Sequence, residues 1–290
     1  MIGFHLVNLL PPGRPLRFSL QTPCGTWDFQ QAANFSQTEP DILQKGACAN
    51  TYSMSMTLPP NAISSQKDAV FQEALPICLA ASLVTGAAVT IRHPLGGSEV
   101  NFVHVGPHFP RARGIKNPAA CVNTFDEFKA FVEGFIRQYP TLNPVEKLLL
   151  LTHLFIDATA CWSLENLYLS GSTLLQVVTD TENATGRTFA AAHAAQRNSR
   201  VGFFDYLAGA ANRVNIAPVS HDVVKVRNSL IHNGTLKSAN LPSQADAAIP
   251  IAEAMHWLDQ YMYAILGLGT VPANRYPVGI LAYGIISFSF

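Results

Sequence analysis

Apolar and polar positions change their period near the middle of the chain. In roughly the first hundred residues, Leu16-Arg17-Phe18-Ser19-Leu20 and Val100-Asn101-Phe102-Val103-His104-Val105 alternate with a period of two, as half-buried strands do, among abundant Pro, Gly, Thr and Ser. One helix is expected to interrupt this β-rich half, over about 66–82, with Gly86 ending it and Ala87-Ala88-Val89-Thr90-Ile91 returning as a strand. Gly106, Pro107, Pro110, Gly114 and Pro118 then punctuate a stretch that also carries Arg111, Arg113 and Lys116. That composition reads as a connection between domains, with the boundary near 118.

Beyond it the apolar period becomes helical. Thr124-Phe125-Asp126-Glu127 is a capping-box sequence, followed by Phe128, Phe131, Val132, Phe135 and Ile136 at helical spacing. Asn143-Pro144-Val145-Glu146 repeats the start signal, Asn as cap and Pro in the first turn, and predicts one long central helix to about 169. Further helices are expected over 173–181, 189–195, 201–211, 221–232 and 248–266. The fold class expected is therefore α+β in two domains, a β-rich one over 1–118 and an all-α bundle over 119–270. The apolar tail 271–290, with Val278 to Phe290 alternating, is expected to add a strand to a sheet.

Composition narrows the function classes. The chain has 290 residues, 48% hydrophobic and 13% charged, enough apolar material for two cores. Nineteen basic and nineteen acidic residues cancel, so no global field draws it to nucleic acid or acidic membranes. Five cysteines, Cys24, Cys48, Cys78, Cys121 and Cys161, contain no CxxC pair, which points to reduced thiols in the cytoplasm. The N-terminus lacks the pattern of a signal peptide, and the apolar runs 77–91 and 278–290 fall short of the roughly 20 residues of a membrane helix, so no membrane span is expected. Asn34, Asn183 and Asn233 stand in glycosylation triplets that matter only in a secreted chain. Ser220-His221-Asp222 are too close in sequence to act as a triad, and no GxxxxGK[ST] loop occurs. His93, His104 and His108 read as solvated loop residues, and no metal or cofactor is expected.

The chemistry concentrates on the helix expected over 221–232, which Asn233-Gly234 terminates. At about 100° per residue, Val223, Val224, Val226, Leu230 and Ile231 share one broad arc with Arg227 inside it, while Asn228 and His232, four apart, share its margin. Taken alone, this pattern reads first as an arginine snorkelling past apolar neighbours and a histidine favoured by the helix dipole.

The segment Val226-Arg227-Asn228-Ser229-Leu230-Ile231-His232-Asn233-Gly234 resembles the Arg-polar-x-x-x-His helix of the HEPN superfamily. The order of elements is similar to that of Apea-like HEPN proteins, in which a last helix ends in a Leu-Gly step, here Leu266-Gly267, and the N-terminal half is often β-rich. The resemblance implies a metal-independent endoribonuclease, active as a homodimer in which two motif helices build one composite site, with links to antiviral defence and toxin effectors. His232 would act as base or acid, Arg227 would steady phosphate charge, and Asn228 would orient either of them. Many nuclease members carry an additional acidic residue upstream, for which Asp222 and Glu165 are the nearest candidates, with Lys225 beside the motif. Arg197, Arg200 and Arg213, with Arg187, are candidates for an RNA-binding face.

Two other readings stay open. HEPN domains also occur as inactive dimerisation or ligand-binding modules, so fold alone does not define function. The β-rich half, in turn, is a candidate sensor or regulatory domain that takes a protein or ligand trigger.

Overall fold

The computed structural model describes residues 1–45, 48–96, 124–159, 161, 163–186, 189–236 and 244–267. The chain is α+β, with a five-stranded antiparallel sheet in its N-terminal region followed by helices. It divides into two compact units, Met1–Thr141 and Leu142–Phe290. The boundary expected near 118, the strand expected at 100–105 and the C-terminal tail lie outside the described residues.

In the first unit β1 (Ile2–Val7), β2 (Arg17–Thr22), β3 (Gly25–Gln31), β4 (Asn50–Met56) and β5 (Thr90–Pro94) form a sheet in the order β2-β3-β4-β1-β5. Strand alternation gives β2, β3 and β4 one inner face, and Phe4 of β1 joins Leu20, Trp27, Phe29, Tyr52 and Met54 in burial. Burying each large side chain contributes about 1.5–3 kcal/mol. Three helices accompany the sheet: α1 (Phe35–Lys45), α2 (Ser64–Thr85) and α3 (Phe125–Glu146), whose last turn, from Leu142, belongs to the second unit. Phe71 of α2 meets Phe4, and Phe125 and Phe128 of α3 meet Phe18. The first turn of α3 is closed by the expected capping box, with Glu127 N–H donating to Thr124 Oγ1 and Thr124 N–H to Glu127 Oε2. Gly86 ends α2 in the left-handed conformation (φ 67°), as its position in the sequence predicts.

By length and composition α2 could cross a membrane, but core helices of soluble proteins pass the same test, and 67% of its apolar window is buried. Its Glu73 is buried and accepts hydrogen bonds from Thr22 Oγ1 (2.6 Å), Trp27 Nε1 (2.9 Å) and Cys24 N (3.2 Å). One carboxylate thus ties α2 to the β2–β3 turn.

The second unit contains α4 (Leu148–Thr159), α5 (Leu164–Ala184), α6 (Phe189–Gln196), α7 (Phe203–Arg213), α8 (His221–Asn233) and α9 (Gln244–Ile265), and no strand follows β5 among the described residues. The single long helix expected from 143 to 169 is not formed. Instead α3 continues through Asn143 and Pro144 to Glu146, Lys147 takes a left-handed conformation (φ 53°), and α4 begins. Asn143 still caps, but at a distance: its Oδ1 accepts from Leu149 N at 2.8 Å, serving the first turn of α4. A second break precedes α5, whose N-cap Ser163 accepts from Asn166 N through its hydroxyl. The central helix is α5, which packs against α4, α7, α8 and α9.

Candidate functional site

The motif helix α8 buries Val223, Val224, Val226 and Ser229 and leaves Asn228, Ile231 and His232 exposed. Its entry is pinned by its neighbour: Ser220 sits at the N-cap, but its N–H and its Oγ both donate to Glu253 of α9, the latter at 2.6 Å. Gly234 (φ 65°) closes the helix, its N–H donating to Leu230 O. Tyr168 of α5 is buried and its hydroxyl donates to Val223 O, fixing the two helices together. Burial pushes the Tyr168 phenol well above its ordinary range.

Arg227 is half-buried between α5, α7 and α8. Nη2 donates to Gln176 Oε1 at 2.7 Å, Nη1 donates to Asn228 Oδ1 at 3.2 Å, and the guanidinium lies 4.2 Å from the centroid of the Phe203 ring. Its Nε is buried without a hydrogen-bond partner. Among the described residues no carboxylate pairs with it, and the groups it touches, two side-chain amides and a phenyl ring, are neutral. Burial draws the Arg227 value downward, with the neighbouring Tyr168 acting the other way; the group nonetheless stays charged near neutrality. A cation held by neutral acceptors and a ring face keeps its charge available to an anion.

Asn228 lies at the solvent edge of this cluster, and His232 follows one turn later, exposed in the last turn of α8. The fold therefore brings Arg227, Asn228, Gln176 and Phe203 together and sets His232 on the adjoining open surface. The secondary candidates are placed differently. Asp222 and Lys225 form a surface ion pair at 2.8 Å with each other, an arrangement that contributes at most about 1 kcal/mol. Tyr168 meets Val223 and Gln176 meets Arg227, so Glu165, a turn before Tyr168, lies toward the start of α8 and away from His232.

The arginines expected on an RNA face do not form a set. Arg213 is committed to the bundle: it pairs with Glu146 (3.0 Å) and Glu182 (3.3 Å), donates to Tyr261 Oη (2.6 Å), and Tyr261 in turn donates to Glu146. Arg197 donates to Asp205 at 2.6 Å and lies 5.1 Å from the Phe204 ring centroid. Arg200 is exposed in the α6–α7 connection. Arg187 lies outside the described residues. Asp205 is buried and also accepts from His193 Nδ1 (2.8 Å) and Gly202 N (2.9 Å). Burial opposes its ionisation, but these hydrogen bonds and the Arg197 charge outweigh that and hold its carboxyl below the usual value.

Gln176, Tyr168 and Phe203 are the positioning residues that sequence reasoning missed. Nothing in local spacing ties Gln176 to a helix 51 positions later. Among the described residues no group of three or more His, Cys, Asp or Glu converges as a metal site. A depression of about 510 Å³, lined by residues including Arg17, Ser19, Asp28, Gln30 and Ser53, lies on the outer sheet face of the first unit and includes no motif residue.

No family model matches the chain, and neither a curated protein nor a solved structure matches it.

Proposed function

We propose that the chain is a HEPN-type, metal-independent endoribonuclease, acting in the cytoplasm as a homodimer whose two α8 helices build one composite site. The observation that carries this reading is Arg227: a half-buried guanidinium, held by Gln176, Asn228 and the Phe203 face without a carboxylate among the described residues, next to an exposed His232 on the same helix. In the reaction the RNA 2′-hydroxyl attacks the adjacent phosphorus as its proton passes to an imidazole. The 5′-oxygen leaves with a proton from a second imidazole, and a 2′,3′-cyclic phosphate remains. One histidine per chain supplies both roles when two chains meet. Arg227 would steady the charge on the phosphate oxygens, and Asn228 would orient phosphate or imidazole. A defence or toxin role, with the β-rich unit as the place where a protein or ligand trigger acts, accords with this reading.

The test is cleavage of mixed structured and single-stranded RNA in excess chelator by wild type, His232→Ala and Arg227→Ala, with light scattering to follow dimers. Wild type is expected to leave cyclic or 3′-phosphate ends, and each variant to fall by about 10²–10⁴-fold while still dimerising. Equal behaviour of all three would replace this reading with the second one, a dimerisation or ligand-binding module without catalysis.

A further inference from the structure

We propose that His5 and His93 form a two-imidazole binding site for a late first-row divalent cation, Zn²⁺ being the probe of choice, on the outer face of the sheet. The two residues are direct cross-strand partners on the antiparallel β1–β5 pair, and their ring centroids are 4.4 Å apart at an interplanar angle of 50°. The chain separates them by 88 positions, and a bulge brings them into register. Leu6 pairs with Ile91 but His5 pairs with His93, so Arg92 is the extra residue. A regular ladder would have set Arg92 opposite His5, a cation against an imidazole. A bulge re-aims side chains in this way.

The geometry suits chelation. Directly opposed residues on such a pair have Cβ atoms about 4.5–5.5 Å apart. Zn–N bonds of about 2.0–2.1 Å at a tetrahedral angle require the two nitrogens to be about 3.3 Å apart. Rings already 4.4 Å apart reach that by side-chain rotation without backbone movement. Both ligands sit on hydrogen-bonded strands, so little freedom remains to be lost on binding. Neutral imidazole nitrogens select Zn²⁺, Ni²⁺, Co²⁺ or Cu²⁺ over Mg²⁺ and Ca²⁺. With two protein ligands, the other coordination positions are left to water or to a small anionic ligand.

This site does not depend on the ribonuclease reading. It lies on the first unit, and the chelator used in the cleavage assay would strip it.

The test uses the full chain, ¹⁵N-labelled and kept reduced, with one equivalent of ZnCl₂, following the imidazole nitrogens by NMR. Two of the nine histidines are expected to shift. His93→Ala, on the exposed edge strand, should abolish both shifts and weaken Zn²⁺ binding by at least about tenfold, the least that even outer-shell losses cost metal sites. His5→Ala should do the same, His232→Ala should leave both shifts in place, and excess Mg²⁺ should produce none. The proposal is overturned if one equivalent moves no imidazole resonance, if the shifts survive His93→Ala, or if only signals near the cysteines respond.

Discussion

Two arginines mark the opposite ends of α7 and are treated in opposite ways. At its C-terminal end, Arg213 meets Glu146, Glu182 and the Tyr261 hydroxyl, and its value is raised: burial alone would lower it, but the Tyr261 phenol and the two carboxylates prevail. Beside its N-terminal end, Arg227 meets an amide, a second amide and a phenyl ring, and one of its nitrogens has no partner. A guanidinium sealed by carboxylates has had its charge neutralised and serves cohesion. One seated on neutral groups keeps a field that an incoming phosphate can use. Arg197, with one buried carboxylate shared with His193, stands between them.

The comparison breaks most visibly at Arg213. Arg213→Ala should destabilise the protein by about 3–5 kcal/mol in urea unfolding, because it leaves two buried carboxylates without their cation; a loss below about 1 kcal/mol would mean the network is not cohesive. Asp205→Asn comes next, with an expected loss of about 1.5–3 kcal/mol at neutral pH from its charge-assisted hydrogen bonds. Since the fold holds the Asp205 carboxyl below the usual carboxylate value, its contribution is fully present above that usual value and disappears as the pH falls through the lower folded value. Wild type should therefore lose stability in that acid range relative to Asp205→Asn, and parallel acid limbs for the two proteins would count against the assignment.

A sharper manipulation turns Arg227 into a second Arg213. Gln176→Glu places a carboxylate on Nη2; stability should change by no more than about 1 kcal/mol, while RNA cleavage falls by about tenfold or more, since the charge meant for phosphate is neutralised. Retained cleavage would show that Arg227 does not face substrate. The smallest effect is expected for Phe203→Leu, which removes the ring face under the guanidinium and should cost about 0.5–1 kcal/mol in thermal or urea unfolding.

Much of the helix content was legible because helix start and stop signals are local. The capping box at Thr124, the Asn-Gly stop after His232, and the Gly86 terminator each act within one turn, and each appears where the residues predict it. The break at Lys147 was not legible. Asn143-Pro144 reads as a helix start, yet the Asn143 side chain serves Leu149 six residues later, after a left-handed residue at Lys147 that no local preference demands. Residues 1–118 were read only as β-rich with one helix, because the sheet order β2-β3-β4-β1-β5 depends on pairings such as Ile2 with Met56 and His5 with His93. Such pairings depend on side chains far apart in the chain finding a common face.

For the candidate site the division is the same. By itself the sequence determined that Arg227 lies within an apolar arc of one helix, with Asn228 and His232 at its edge, since helical periodicity is a property of the backbone. Only tertiary structure decided what surrounds each cation. Gln176 of α5 and Phe203 of α7 reach Arg227, while Glu146 of α3 and Glu182, again of α5, reach Arg213. The physical reason is that an arginine's role depends on the charge of what it touches, and its partners come from distant parts of the chain that only packing brings together.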